Sequence, residues 1–244
     1  MVVTDVLRFA VGSAILLYAS VSDLRWRRVP NRTWLIGGAI ALAILAVDAL
    51  AFDRIRGVYL VLVPIIIVLA YVSWYFHLLA GGADAKALMM LAALVPYPLD
   101  WATSLPRWTS PLPPAAVSFA NSLLVFLALP LLFLVFNLLR GDVRFPTMLL
   151  GYTLSLDEAQ RRFVWVTERV DDAGRVRQVL MSSKQTPEEQ AENIARLRAA
   201  GRTRAWVTPK IPFMVPLFAG FLAAFVLGDV FTKLLSLTIL RGRG

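Results

Sequence analysis

Six stretches of about 20 mostly apolar residues constrain this chain more than any other feature: 4–22, 33–51, 57–79, 84–100, 115–139 and 212–239. About 20 helical residues cross roughly 30 Å of hydrocarbon. A helix also satisfies its backbone hydrogen bonds within itself, as the bilayer core requires. Composition agrees, with 58% hydrophobic and 17% charged residues, where a soluble domain carries about a quarter charged. The pattern predicts an all-α polytopic membrane protein with six transmembrane helices. The fourth stretch is short, and Pro96 and Pro98 break its far end. The first carries Asp5 and Arg8 inside its apolar run and ends in charge, without a small-residue cleavage site, so it reads as a retained helix.

Loop charge orients the array. Arg25, Arg27, Arg28 and Arg32 lie between the first two stretches, against one acid, Asp23. The polar segment from Arg140 to Lys210 holds thirteen Lys/Arg and nine Asp/Glu. With Lys86, one side carries 18 of the 25 basic residues. Basic loops mark the cytoplasmic side, which places both termini outside and accounts for the formal charge of +9 without nucleic acid. The chain has no cysteine, which excludes disulfides, thiol catalysis and cysteine zinc sites.

Three regions are expected: 1–140 with helices one to five, a cytoplasmic α+β insertion over 141–208 between helices five and six, and 209–244 with the last helix and tail. Within the insertion, Ser155 and Glu158 form a capping-box pattern that opens a short helix. Phe163 to Val170 reads as a strand, Asp171 to Gly174 as a turn and Arg175 to Met181 as the returning strand. Thr186-Pro187-Glu188-Glu189 starts a second helix that stops near Gly201. Ala205 to Thr208 supplies a third strand. Pro209 can start a helix, whereas Pro212 and Pro216 should leave carbonyls without partners and bend the last span.

Two carboxylates stand out. Asp23 ends the first apolar stretch and Asp84 begins the fourth. Two intervening crossings return the chain to the same face, so both lie at one membrane boundary, and helices packed 8–10 Å apart bring such side chains together. Each has a plainer reading: Asp23 pairs with a neighbouring arginine, or Asp84 caps a helix with Lys86 as its counter-charge. As a pair they suit aspartic-protease chemistry. Two carboxylates in one site share a proton, one activating water while the other polarises the peptide carbonyl and protonates the leaving amine. Their protons belong to joint titration steps. Gly81 and Gly82 precede Asp84 and let the backbone pass close to another segment or to substrate.

Asp23-Leu-Arg-Trp-Arg-Arg-Val-Pro30-Asn31, followed by Gly81-Gly82-Ala83-Asp84, resembles the two motifs of the type IV prepilin peptidases, which include the archaeal preflagellin (prearchaellin) peptidases. The second motif departs from the family's G-x-G-D pattern at Ala83. The resemblance implies that Asp23 and Asp84 are the catalytic pair of an aspartic-type endopeptidase needing no cofactor and no metal. It implies as substrate a pilin or archaellin precursor with a class III signal peptide, whose short basic leader is removed at the cytoplasmic face of the plasma membrane. The absence of a cysteine-rich domain, and Pro212-Phe213-Met214-Val215-Pro216 before the last span, resemble the archaeal, peptidase-only branch.

Other residues read more simply. His77, the single histidine, suits a packing or interfacial role. Asp229 and Lys233 are spaced for a local ion pair. Asp48, Asp53 and Asp100 fall near the outer boundary. Trp26, Trp34, Trp74, Trp101 and Trp108 form an interfacial belt, and Asn121 and Asn137 bond between helices. Membrane lipids are the natural partner of the insertion's positive charge. Two other classes stay open on these residues: a proton-coupled transporter using Asp23, Asp84 and Asp229, and a noncatalytic assembly scaffold.

Overall fold

The computed structural model describes residues 3–51, 57–76, 78–79, 81–97, 110, 112–171, 173–179 and 185–241. His77, Asp53, Asp100, Trp101 and Trp108 lie outside the described residues, as do Pro98 and the end of the returning strand. The chain divides into two compact units, Met1–Phe126 with Pro212–Gly244, and Leu127–Ile211.

The first unit is helical: α1 (Val3–Trp26), α2 (Asn31–Ala51), α3 (Gly57–Tyr75), α4 (Gly82–Leu94), the first half of α5 (Pro114–Arg140), α8 (Met214–Val226) and α9 (Val230–Arg241). Among the described residues α1, α2 and α5 are long and apolar enough to cross a membrane. The core lies where α1, α2, α4 and α8 meet, around Leu16, Ala41, Leu91, Met214, Leu217 and Phe221. Outside that core the surface stays apolar. Leu35, Leu42, Val68 and Leu69 are exposed, as suits helices whose outer face meets lipid rather than water. Close helix packing rests on small residues: a Cβ at Gly220 of α8 would stand 2.4 Å from the Ser118 carbonyl oxygen of α5.

A buried polar cluster crosses this unit. Arg8 of α1 pairs with Asp48 of α2 at 2.8 Å, both fully buried. Arg8 also donates to the Leu94 carbonyl at the end of α4, and the Tyr97 hydroxyl donates to Asp48. A charge inside an apolar helix is tolerated when it is paired, and this pairing joins three helices.

The last apolar stretch departs from the sequence reading in two ways. Pro216 does not bend it. The helix begins only at Met214, so Pro216 occupies the first turn, where an amide has no intrahelical partner to lose. The stretch is also two helices, because Gly228 adopts φ +82° and closes α8 in the left-handed conformation. Asp229 then caps α9, its Oδ1 accepting from the Thr232 amide at 2.9 Å. Among the described residues it makes no ion pair with Lys233, contrary to the spacing. Asn121 of α5 bridges the break, donating to the Gly228 carbonyl and accepting from the Phe231 amide. Trp34 departs from the expected belt too: it is buried in the core, whereas Trp26 and Trp74 are exposed.

The second unit is α+β. β1 (Tyr152–Ser155), β5 (Arg204–Pro209) and β2 (Val164–Val166) form an antiparallel sheet in the order β1-β5-β2. β3 (Glu168–Val170) and β4 (Val176–Gln178) form a hairpin. The single strand expected over 163–170 is thus two, parted at Thr167, which is hydrogen-bonded through amide and hydroxyl to the Trp206 carbonyl. Helices α6 (Leu156–Arg161) and α7 (Pro187–Ala199) start where the sequence signals stand. The Ser155 side chain caps Glu158, and Thr186 and Glu189 form a reciprocal capping box. Leu154, Leu156, Val166, Leu197, Ala205 and Val207 make the core. Asn137 donates to the Met148 and Gly151 carbonyls, tying the end of α5 to the segment before β1.

Candidate active site

Asp23 lies in the last turn of α1, half-buried. The chain leaves that helix through Arg27, which takes φ +54° and whose amide donates to the Asp23 carbonyl. The Ser22 hydroxyl donates to the Arg28 carbonyl at 2.6 Å. Pro30 then lets α2 begin at Asn31, since proline sets the chain for a helix start without needing an amide. The Asp23 carboxylate has three neighbours: the Arg27 guanidinium, the Met214 backbone amide and the Asp84 carboxylate.

Met214 is the first residue of α8, and its amide is among those a helix start leaves free. Its carbonyl accepts from the Ser20 hydroxyl at 2.9 Å. The N-terminus of α8 is therefore docked on the last turns of α1, with an amide directed at Asp23. Nothing in the residue types of 212–216 announces this role, since it is carried by backbone.

Asp84 is the third residue of α4 and is only 7% exposed. The sequence reading placed it as a possible cap. In the structure Gly81 holds the cap position without a side-chain bond, and the Gly81 amide reaches the Asp84 carboxylate. Gly81 is extended, at φ −128° and ψ 139°, a conformation open to any residue, so its lack of a side chain matters for space. A Cβ there would sit 3.0 Å from Asp84 Oδ2. One at Gly82 would sit 3.3 Å from Trp74 Nε1 at the end of α3. Ala83 lies inside the first turn of α4, where alanine is a favourable helix former, so its departure from glycine leaves the backbone undisturbed.

Asp23 and Asp84 are near enough for their charges to interact. Lys86 is turned away from the counter-charge role: its Nζ donates to Asn31 Oδ1 at 2.8 Å. That bond ties the Gly81–Lys86 turn to the Pro30–Asn31 start of α2, so the two sequence motifs touch at a second point. The arrangement offers two carboxylates, an adjacent cation and a helix N-terminus at the joint ends of α1, α4 and α8. Among the described residues no three His, Cys, Asp or Glu side chains cluster as a metal site would need.

Two carboxylates close enough for their charges to interact suit hydrolytic chemistry, and the comparisons with known proteins point to a protease. The sequence profile of the type IV leader peptidase family matches residues 10–141. The profile of the archaeal peptidase A24 C-terminus, type II, matches residues 143–230. The chain belongs to the type IV leader peptidase family and is a protease. The preflagellin peptidase of Methanococcus voltae is 26% identical over 95% of this chain and 98% of its own length. The corresponding figures for the preflagellin peptidase of Methanocaldococcus jannaschii are 27%, 91% and 94%. For that of Methanococcus maripaludis they are 26%, 91% and 96%.

Proposed function

We propose that this chain is a multi-pass membrane aspartic endopeptidase that removes the basic leader of a preflagellin- or prepilin-type precursor at the cytoplasmic face, with Asp23 and Asp84 as the catalytic pair. Family membership and three preflagellin peptidases matched along nearly their whole length support the reaction. The observation that carries the residue assignment is the approach of two carboxylates from separate helices, α1 and α4. In the active form one is ionised and the other protonated. The carboxylate takes a proton from water as the oxygen attacks the scissile carbonyl. The acid hydrogen-bonds to that carbonyl oxygen, and the amine departs with a proton from the pair.

In this reading the six crossings are α1, α2, α3, α4, α5 and the α8–α9 pair, and the arginines of 25–32 support an inside position for the Asp23 end. A precursor helix lying in the bilayer then presents the bond between leader and helix at the depth of the pair. Gly81 and Gly82 serve as a substrate loop, keeping free the space that side chains would take beside Asp84 and Trp74.

The test is cleavage by the purified chain of a precursor with a basic leader, followed by mass spectrometry. Asp23→Asn and Asp84→Asn are each expected to abolish leader loss while the circular dichroism spectrum stays unchanged. Cleavage persisting in either variant removes the pair from the mechanism.

A further inference from the structure

The second unit contains an open groove of about 790 Å³ between the end of α5 and the sheet. One wall is apolar: Leu132, Phe133 and Phe136 of α5 face Tyr152 of β1. Its rings form a continuous surface, with Phe133 6.2 Å and Phe136 5.7 Å from Tyr152. The rim is cationic. Arg140, Arg162 and Arg204 line it, with Glu158 as the one acid. The Arg140 guanidinium rests over the Phe136 ring at 4.3 Å. Arg162 pairs with Glu158 at 3.0 Å in solvent, and Arg204 reaches Thr153 Oγ1 and, at 3.6 Å, Asp142. A guanidinium carries five N–H donors, so these contacts leave donors for a further acceptor.

We propose that this groove binds one anionic phospholipid, its acyl chains on the Leu132–Phe136 wall and its phosphate among Arg140, Arg162 and Arg204. Three features converge on that occupant. α5 is a helix long and apolar enough to cross a membrane, and the groove opens at its last turns, where hydrocarbon gives way to headgroups. The apolar wall continues along the same helix into exposed Leu131, Val135 and Leu139, a surface suited to acyl chains. Three arginines against Glu158 in the rim and Asp142 beside Arg204 leave one positive charge in excess, which favours phosphate and repels a basic leader peptide. The site stands apart from the catalytic assignment and does not depend on it.

Native mass spectrometry of the full chain in detergent tests it, using palmitoyl-oleoyl phosphatidylglycerol against the phosphatidylcholine of the same chains. One phosphatidylglycerol is expected to be retained in preference. Arg140→Gln with Arg204→Gln should weaken that binding roughly tenfold or more. Arg196→Gln, on α7 outside the groove, should leave it unchanged. Arg140→Lys keeps the charge and should retain most of the binding, which separates the site from a folding defect. Equal retention of the two lipids overturns the proposal, as does an equal loss in Arg196→Gln. So does displacement of the lipid by millimolar inorganic phosphate, which would mark a bare anion site, or by a synthetic basic leader peptide.

Discussion

Arg8 and Asp48 show how far one pair of side chains reaches in a membrane bundle. Both are fully buried, and their contacts extend to Tyr97 and the Leu94 carbonyl. Removing one partner leaves a charge in a dry site, which costs about 3–5 kcal/mol, while replacing both by apolar residues costs much less. Asp48→Leu should therefore lower the thermal midpoint in detergent strongly, and Arg8→Leu with Asp48→Leu should recover most of the loss. Gly81 sits at the opposite extreme, where stability should barely change and activity should. A methyl at that position would press on Asp84 Oδ2 from 3.0 Å. Gly81→Ala is expected to lower the cleavage rate by roughly tenfold to a hundredfold, because small displacements of reacting groups weigh heavily on rate. Gly82→Val should also impair cleavage with expression intact, since its bulk meets Trp74. Full activity in both would remove the crowding argument.

Among the elements, the hairpin β3–β4 turns on one carboxylate. Asp171 accepts from the Ala173 and Arg175 amides and from the Arg175 and Arg177 guanidiniums. The Arg175 amide above all holds its carboxyl below the ordinary 3.8. A depressed native value means the contribution to stability is complete above the unfolded value and fades as pH falls through the folded one. Amide protection at Ala173 and Arg175 should therefore drop on acidification below about pH 4. Asp171→Asn should show weaker protection at neutral pH and no such dependence. The α8–α9 break is a second element with its own test. Gly228→Ala forces a side chain into φ +82° and should cost about 1–2 kcal/mol. Hydropathy alone reads this stretch as one span. Its Gly228-Asp229 pair is nonetheless a helix stop followed by a cap, a local signal outweighed by the apolar residues on either side. The same competition misread Pro216: without the helix start at Met214, a proline five residues into an apolar run looks like a kink.

At the scale of the molecule, local signals proved the most legible. Ser155 and Thr186 cap helices where their sequence patterns stand, Gly201 closes α7 with φ +75°, and each apolar stretch is mainly helical where the structure describes it, with a break at 227–229 in the last. Pairings between distant segments left no local trace. Arg8 with Asp48, Lys86 with Asn31, Ser20 with the Met214 carbonyl and Asn121 with Gly228 join residues 40 to 194 positions apart. Periodicity carries no information on such partners, because it encodes which face is apolar and not what packs there. The proposed Asp23–Asp84 pairing has a different basis in the sequence: if α2 and α3 both cross, as the proposed topology has it, parity returns the chain to one face. That parity is what the whole account requires, and the absence of cysteine in the chain makes it directly measurable. Arg28→Cys and Leu79→Cys, each made alone, place a single thiol five residues from Asp23 and from Asp84 in sequence, on the connection next to each one's helix, and leave the pair itself unchanged. With a membrane-impermeant maleimide, both variants should label in inside-out vesicles and neither in right-side-out vesicles. Labelling of the two from opposite sides would contradict the account.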